Sequence, residues 1–499
     1  MYRPSFEEFC RKSREGNLIP VSREILADME TPVSAFRKID SGEYGFLLES
    51  VQGGEKWGRY SFLGSHPRLV VRTKGSRAEL LQGDQVQSLP MAGDPLAVIQ
   101  AQLTRYRPVR VGGLPRFFGG MVGYLGYDAA RFFERLPDAT LDDLDLPDAC
   151  FLFTDTLLIF DSLRQRITVV SNAHVEDPSP GGLERAYEEA VQSIETIVGE
   201  LRKPPPVRVP AAAAGGAPGA AATRSTLTRE AFEAGVRQCK EYVRAGDIIQ
   251  AVLSRRLEVV TGADPFDIYR ALRIINPSPY MYYLRLGEAQ LVGSSPEVLV
   301  RLEEGSVDLR PIAGTRPRGR DEAEDRRMEE ELLADPKERA EHIMLVDLGR
   351  NDVGRVAAIG SVEVNELMVI ERYSHVMHIV SNVRARLRPD RDAFDLLRAC
   401  FPAGTVTGAP KIRAMEIIEE LEPVKRGPYA GAVGYFSFSG NMDTCITIRT
   451  ILCRPGRAYI QAGAGIVADS DPAREYQETA SKAEAMLRAI AMAEAGLEG

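Results

Sequence analysis

The sequence predicts an α+β protein built around large antiparallel sheets. Two observations carry that reading. Short apolar runs bounded by turn residues recur along the whole chain, which is the pattern of strands. Helical stretches fall between them irregularly, not one after every strand as a doubly wound parallel sheet requires. In the N-terminal part, strands are expected over Tyr44 to Ser50, Leu69 to Arg72, Phe151 to Phe160 and Ile167 to Val170, with a helix over Leu183 to Leu201. In the C-terminal part they are expected over Ile248 to Arg256, Met281 to Leu286, Ala430 to Phe438, Cys445 to Leu452 and Ala458 to Ala462.

One stretch divides the chain. Residues 203–222, KPPPVRVPAAAAGGAPGAAA, hold 16 Pro, Ala or Gly in 20 positions and have almost nothing to bury. The expected organisation is an N-terminal part over 1–202, a linker or surface loop over 203–225, and a C-terminal part over 226–499. A loop inserted within one domain and a true domain boundary both fit that composition.

Composition excludes several classes. With 44% hydrophobic and 27% charged residues the chain reads as soluble and globular. A net charge of -9 does not suggest a nucleic-acid groove. Cys10, Cys150, Cys239, Cys400, Cys445 and Cys453 are scattered without a CxxC pair, which argues against structural zinc. MYRPSFEEFC lacks the apolar run of a signal peptide, and no stretch approaches the ~18 apolar residues of a membrane helix. The expectation is a reduced, cytoplasmic protein with neither membrane nor nucleic-acid partners.

Two helices carry a chemical pattern. One is expected to begin at Asp335-Pro336 and the other at Asp471-Pro472, each a capping Asp followed by a proline whose missing N–H costs nothing in the first turn. Glu338 and Glu341 share a face of the first; Glu475, Glu478 and Lys482 share a face of the second. Two such carboxylate pairs can converge on one magnesium ion, which takes oxygen ligands and keeps waters. The same spacing also describes an ordinary solvated helix face.

The strings IIQAVLSRR (248–256), GSSPEVLV (293–300), RPIAGTRPRG (310–319), DPKERAEHIMLVDLGRND (335–352), FPAGTVTGAPK (401–411) and QAGAGIVADSDPAREYQETASKAEAM (461–486) occur in that order. Together they resemble the chorismate-utilising enzymes: anthranilate, aminodeoxychorismate, isochorismate and salicylate synthases. The resemblance is dense over about 225–490 and extends to FLLES (46–50), GRYSFLG (58–64) and GGMVGYLGYD (119–128). It implies a fold of two large twisted antiparallel sheets in a sandwich with helices packed outside and the active site between them. The glycine-rich GGMVGYLGYD does not match a nucleotide loop and reads as a strand and bend.

The resemblance also implies roles. Chorismate is a dianion. Glu341 and Glu478 would hold Mg²⁺ directly beside its ring carboxylate, with Glu338 and Glu475 acting through water or as further ligands. Arg449, whose planar fork suits a carboxylate, Tyr429 and the backbone of Gly463, Ala464 and Gly465 would receive the enolpyruvyl carboxylate. Outside that context GAG reads as a tight bend. Gly314 and Thr315 would line the same pocket, and Lys482 would balance the acidic helix. Glu297 would be the general acid that protonates the leaving ring hydroxyl; on residues alone it reads equally as a strand-end glutamate paired with an arginine. His378 would assist loss of pyruvate, His342 reads as structural, and His375 is left open.

Two positions indicate which reaction is expected. Relatives that add water carry a lysine where this chain has Gln250, and a neutral amide cannot deprotonate water. Aminodeoxychorismate synthases typically carry a lysine where this chain has Ala313. Direct amination by ammonia followed by loss of pyruvate then gives anthranilate; an aminodeoxychorismate synthase component and a catalytically silent chorismate-binding relative are the alternatives. The chain shows no GxCxGxQ elbow, so ammonia is expected from a separate glutamine amidotransferase subunit in a hetero-oligomer, a heterotetramer by resemblance. Ser50 with Pro279, Tyr280 and Met281 resembles the family's L-tryptophan inhibitor site, although a strand end beside a proline-stiffened loop reads the same way.

Overall fold

The computed structural model describes residues 1–40, 42–51, 59–91, 93–205, 223–373 and 376–497. Most of the Pro/Ala/Gly-rich segment (206–222) and His375 lie outside them.

Two antiparallel sheets of 12 strands dominate the molecule. In spatial order the first sheet runs Leu18–Leu26, Arg166–His174, Thr156–Asp161, Tyr60–Ser65, Tyr44–Glu49, Tyr280–Leu286, Ala289–Ser295, Thr450–Arg454, Arg457–Ile466, Gln250–Val260 and Arg224–Ser225, with Gly408–Ala409 added beside Gln250–Val260. The second runs Ile312–Pro317, Val376–Arg386, Ser306–Leu309, Val298–Glu303, Met442–Ile446, Ala432–Ser437, Gly120–Leu125, Ala149–Thr154, Leu69–Lys74, Arg77–Gln82 and Gln85–Pro90, with Glu363–Arg372 added beside Val376–Arg386.

Alternation of side chains along each strand builds three layers of core. In Tyr44–Glu49, Phe46 points between the sheets, where Phe62, Val122, Leu152, Tyr282 and Val433 from both sheets meet it. Its neighbour Leu47 points outward, under helices Pro32–Ile39, Pro265–Ile275 and Pro472–Glu494. The outer face of the second sheet is covered by Pro95–Leu103, Ala393–Cys400 and part of Pro336–Gly354. Helices outside a sandwich agree with the architecture the resemblance implies.

Residues from both sides of 203–225 share each sheet. Tyr44–Glu49 pairs with Tyr280–Leu286 in one, and Gly120–Leu125 pairs with Ala432–Ser437 in the other. The division seen in the sequence is therefore not a division between sheets.

Two expected strands are each two strands. Phe151 to Phe160 breaks at Asp155, with Ala149–Thr154 in the second sheet and Thr156–Asp161 in the first. Cys445 to Leu452 breaks in the same way between Met442–Ile446 and Thr450–Arg454. Strands buried on both faces read as continuous apolar runs, so a change of sheet inside such a run leaves no periodic mark.

Among the described residues no helix is long and apolar enough to cross a membrane, and all six cysteines are free thiols.

Candidate active site and effector cavity

The site forms where the chain passes between the sheets. Ala289–Ser295 ends in the first sheet, Val298–Glu303 starts in the second, and Glu297 stands at the corner between them. The Ile446 N–H donates to the Glu297 carbonyl (3.0 Å), and a bulge between Val298 and Val300 re-aims the strand just after it. The residue is 7% exposed. Burial pushes its carboxyl up to about 8, against the pull of the Thr405 hydroxyl, the Ile312 N–H and the Lys482 charge. It is neutral at pH 7 and able to donate a proton. Among the described residues no arginine acts on Glu297, unlike the strand-end glutamate paired with an arginine that the residues alone also allowed.

A second corner, between Met442–Ile446 and Thr450–Arg454, carries Arg449. Its backbone sits at φ +51°, a left-handed conformation costly for a residue with a side chain and typical of functional corners. Its guanidinium donates to the Lys482 carbonyl (2.6 Å). Burial lowers its pKa, against the pull of Tyr429 and Glu478.

His378 lies on Val376–Arg386, opposite Thr315. Its Nδ1 is 2.8 Å from the Gly314 carbonyl oxygen and 3.1 Å from the Thr315 hydroxyl. A carbonyl only accepts, so Nδ1 carries the proton and Nε2 keeps its lone pair. Burial lowers the imidazole pKa and the Arg449 charge adds to that, so the ring is neutral and basic at pH 7. Gly314 is needed at its place: φ is +65°, and a Cβ there would crowd the Glu338 carboxylate at 3.2 Å.

The Gly463-Ala464-Gly465 segment is not a bend. It lies inside the strand Arg457–Ile466, opposite Ser254, Leu253 and Val252. The Gly463 carbonyl turns away from that partner strand to accept from the Lys482 ammonium (3.0 Å). Antiparallel alternation then points the Gly463 and Gly465 N–H groups to the same open side, whereas the Ala464 N–H faces Leu253 in the ladder. The two glycines are small for a visible reason. A Cβ on Gly463 would meet the Tyr429 hydroxyl at 2.8 Å, and one on Gly465 would meet the Gln250 Nε2 at 2.3 Å. Gln250 is 3% exposed and its Oε1 is buried without a partner.

Both Asp-Pro helices begin as expected, over Pro336–Gly354 and Pro472–Glu494, with Asp335 and Asp471 capping them. Burial raises the Glu341 pKa, with the charges of Glu338 and of Glu478 from the other helix adding to it. Burial and Glu478 likewise raise Glu475. The carboxylates of the two helices therefore converge and repel. Nearby cations contain the repulsion: Lys482 Nζ is 2.6 Å from Glu478, Arg316 reaches Glu338 and Asp335 at 3.3 and 3.0 Å, and the Lys337 charge acts on both Glu341 and Glu475. A divalent cation among these oxygens would relieve it, so the donor set fits magnesium. Among the described residues no three His, Cys, Asp or Glu side chains form a closed ligand set, so the ion would complete its shell with water and substrate. His342, fully buried with Nε2 2.6 Å from the Ser381 hydroxyl, joins this helix to Val376–Arg386 as a packing residue.

Ser50, Pro279, Tyr280 and Met281 come together around a cavity of about 580 Å³, counted to its open mouth, between the two sheets. Met281 stands opposite Glu49, and the Val51 N–H donates to the Ser278 carbonyl (3.2 Å).

A family model described as chorismate binding enzyme matches residues 47–488. The chain belongs to that family. It is 51% identical over 495 residues to an anthranilate synthase component 1 of Acetivibrio thermocellus, covering 98% of this chain and 99% of that one. It is 50% identical over 501 residues to one of Pseudomonas aeruginosa, covering 99% of each. The crystal structure of anthranilate synthase component I from Streptococcus pneumoniae superposes with TM-score 0.75 at 37% identity, covering 93% of this chain and 98% of that one. The menaquinone-specific isochorismate synthase of Escherichia coli, with TM-score 0.70 at 19% identity, shares the fold.

Some residues of this family member's sites escaped the sequence reading. Arg316 clamps the acidic helix, and Arg116, Arg301 and Asp443 line the cavity. A signal existed for the last two: each is a charge inside an otherwise apolar strand, VLVRLE and MDTCI.

Proposed function

We propose that this protein is the chorismate-using component of an anthranilate synthase, converting chorismate and ammonia to anthranilate, pyruvate and water. The observation that carries the reading is a buried acid held neutral by its surroundings, Glu297, in a chain that also has the base His378, with Gln250 and Ala313 where a lysine base or nucleophile would stand.

Glu297 protonates the C4 hydroxyl, so it leaves as water while ammonia bonds to C2 and the ring double bonds shift. The proton shed by the new ammonium restores Glu297. The buried Gln250 Oε1 accepts from the incoming ammonia and orients it. His378 Nε2 then removes the C2 proton, the C3–O bond breaks, the ring becomes aromatic, and the imidazolium so formed gives its proton to the departing enolpyruvate, which becomes pyruvate while His378 returns to its neutral form. Arg449, the Tyr429 hydroxyl and the Gly463 and Gly465 N–H groups hold the enolpyruvyl carboxylate. Gly314 and Thr315 line the pocket and hold His378 in its tautomer. Glu341 and Glu478, backed by Glu338 and Glu475, would hold a magnesium ion, which when bound would supply positive charge against the ring carboxylate, and Lys482 balances the charge of the acidic helix.

Glutamine-derived ammonia comes from an amidotransferase subunit in a cytoplasmic hetero-oligomer. L-Tryptophan occupies the cavity at Ser50, Pro279, Tyr280 and Met281 and inhibits. The test is incubation with chorismate, Mg²⁺ and an ammonium salt: anthranilate fluorescence should grow. An aminated, non-aromatic product as the only product would favour aminodeoxychorismate synthesis and overturn the reading.

A further inference from the structure

The effector cavity and the corner that carries Glu297 share one side chain, Tyr280. Its backbone lies opposite Ser295 in the first sheet, two residues before Glu297. Its hydroxyl crosses to the second sheet, donating to Asp443 Oδ1 (2.8 Å) and accepting from Arg301 Nη2 (2.9 Å). Arg301 is four residues after Glu297, and it faces Asp443 across the strand pair, Nε to Oδ2 at 3.0 Å. Asp443 is three residues before Ile446, whose N–H holds the Glu297 carbonyl and whose carbonyl accepts from the Ser295 hydroxyl (2.7 Å). The bonds close a ring: Tyr280, Ser295, Glu297, Arg301 and back to Tyr280. Tyr280 is a strut across the corner.

The strut is buried and charged. Arg301 and Asp443 are 7% and 5% exposed, and Arg116 adds a second cation at 2.9 Å from Asp443 Oδ2. Arg116 also donates to the Tyr435 hydroxyl (3.0 Å), on the far wall of the same cavity. Hydrogen bonds among charges in such surroundings are strong, and a group removed from them is left unsatisfied at a cost. The network therefore favours discrete arrangements over gradual deformation, as a coupling element requires.

We propose that Tyr280, Asp443 and Arg301 are positioning residues that transmit occupancy of the cavity to Glu297: a ligand wedged between the sheets bears on the Tyr280 ring, and the strut turns that displacement into a change at the catalytic corner. This rests on the reading of the cavity as a tryptophan site. Differential affinity for two corner arrangements is what makes an effector an inhibitor. Linkage makes the effect reciprocal, so chorismate weakens tryptophan binding by the factor with which tryptophan weakens chorismate binding.

The experiment measures tryptophan binding calorimetrically on the full chain with Mg²⁺, with and without saturating chorismate, and without ammonia or glutamine so that no anthranilate forms. In the wild type chorismate should weaken tryptophan by about 5- to 150-fold. Tyr280→Phe deletes only the bridging hydroxyl. Because the Tyr280 ring lines the tryptophan site, the readout is the split between tryptophan affinities with and without chorismate within the same variant, and that split should fall below about twofold. Asp443→Asn, which keeps the shape and removes the charge, should give the same split, and it decides the matter if Tyr280→Phe alone loses tryptophan. A chorismate effect of wild-type size in these variants overturns the proposal. Loss of tryptophan binding in both also overturns it, because the cluster would then be the ligand's seat and not a relay. A wild type that gives no heat with tryptophan sinks the tryptophan reading itself, and the relay with it.

Discussion

Replacing Glu297 by Gln keeps the side-chain volume and hydrogen-bonding shape while deleting the ionisation. Burial raises the carboxyl from the ordinary 4.5 to about 8. The unfolded chain therefore gives up the proton near 4.5, whereas the folded protein keeps it to about 8. Between those values the folded state binds more protons, so stability falls as pH rises, by about 1.4 kcal/mol per unit. The contribution is fully present below the unfolded value and is lost on approach to the folded one. That difference corresponds to about 5 kcal/mol, of which about 3 to 4 kcal/mol falls between about pH 5 and about pH 8. Glu297→Gln has no such titration. Denaturant unfolding of both proteins across that range should show the wild type losing about 3 to 4 kcal/mol relative to the variant. Anthranilate formation at constant free ammonia should fall on the order of 10²- to 10⁴-fold in the variant, the worth of a positioned general acid. A stability difference constant to within about 1 kcal/mol over the range would refute the burial argument and with it the assignment of the proton donor.

Other perturbations test the remaining parts. Glu341→Gln and Glu478→Gln should each abolish most activity and raise the magnesium needed for half-activation by about tenfold or more, with unchanged circular dichroism; an ordinary magnesium titration in either would remove that residue from the ligand set. His378→Met should release an aminated, non-aromatic product that chromatography resolves from chorismate and anthranilate, and unreacted chorismate alone would contradict its place in the second step. Gly465→Ala places a Cβ 2.3 Å from the Gln250 Nε2. It should therefore raise the KM for ammonia more than that for chorismate, and an unchanged ammonia KM would count against Gln250 as the orienting acceptor. Ser50→Ala should shift the tryptophan inhibition curve to higher concentration by about tenfold, the loss of one hydrogen bond to a charged group; coincident curves would take Ser50 out of the site.

The sequence by itself determined the class of the fold and the family. Alternating apolar runs specified strands, and the two Asp-Pro starts located both acidic helices because capping is a local interaction between neighbouring residues. The ordered motifs assigned Glu297, His378, Arg449 and Glu478 to one site by resemblance, and in the structure the Arg449 charge acts on His378 and the Glu478 charge on Arg449. Only the tertiary structure decided where the chain changes sheets. Asp155, Glu297 and residues 447–449 are all such crossings, and none interrupts hydrophobicity strongly enough to be read, since strands covered on both faces lose their period of two. It also decided that Gly463 to Gly465 is a strand, because what calls for glycine there is the approach of Tyr429 and Gln250 from distant segments. The strut is the clearest case. Tyr280, Arg301 and Asp443 are separated by up to 163 residues, and each alone reads as a polar interruption of an apolar strand. They became a unit when two sheets packed face to face and buried three polar groups within reach of one another and of Arg116.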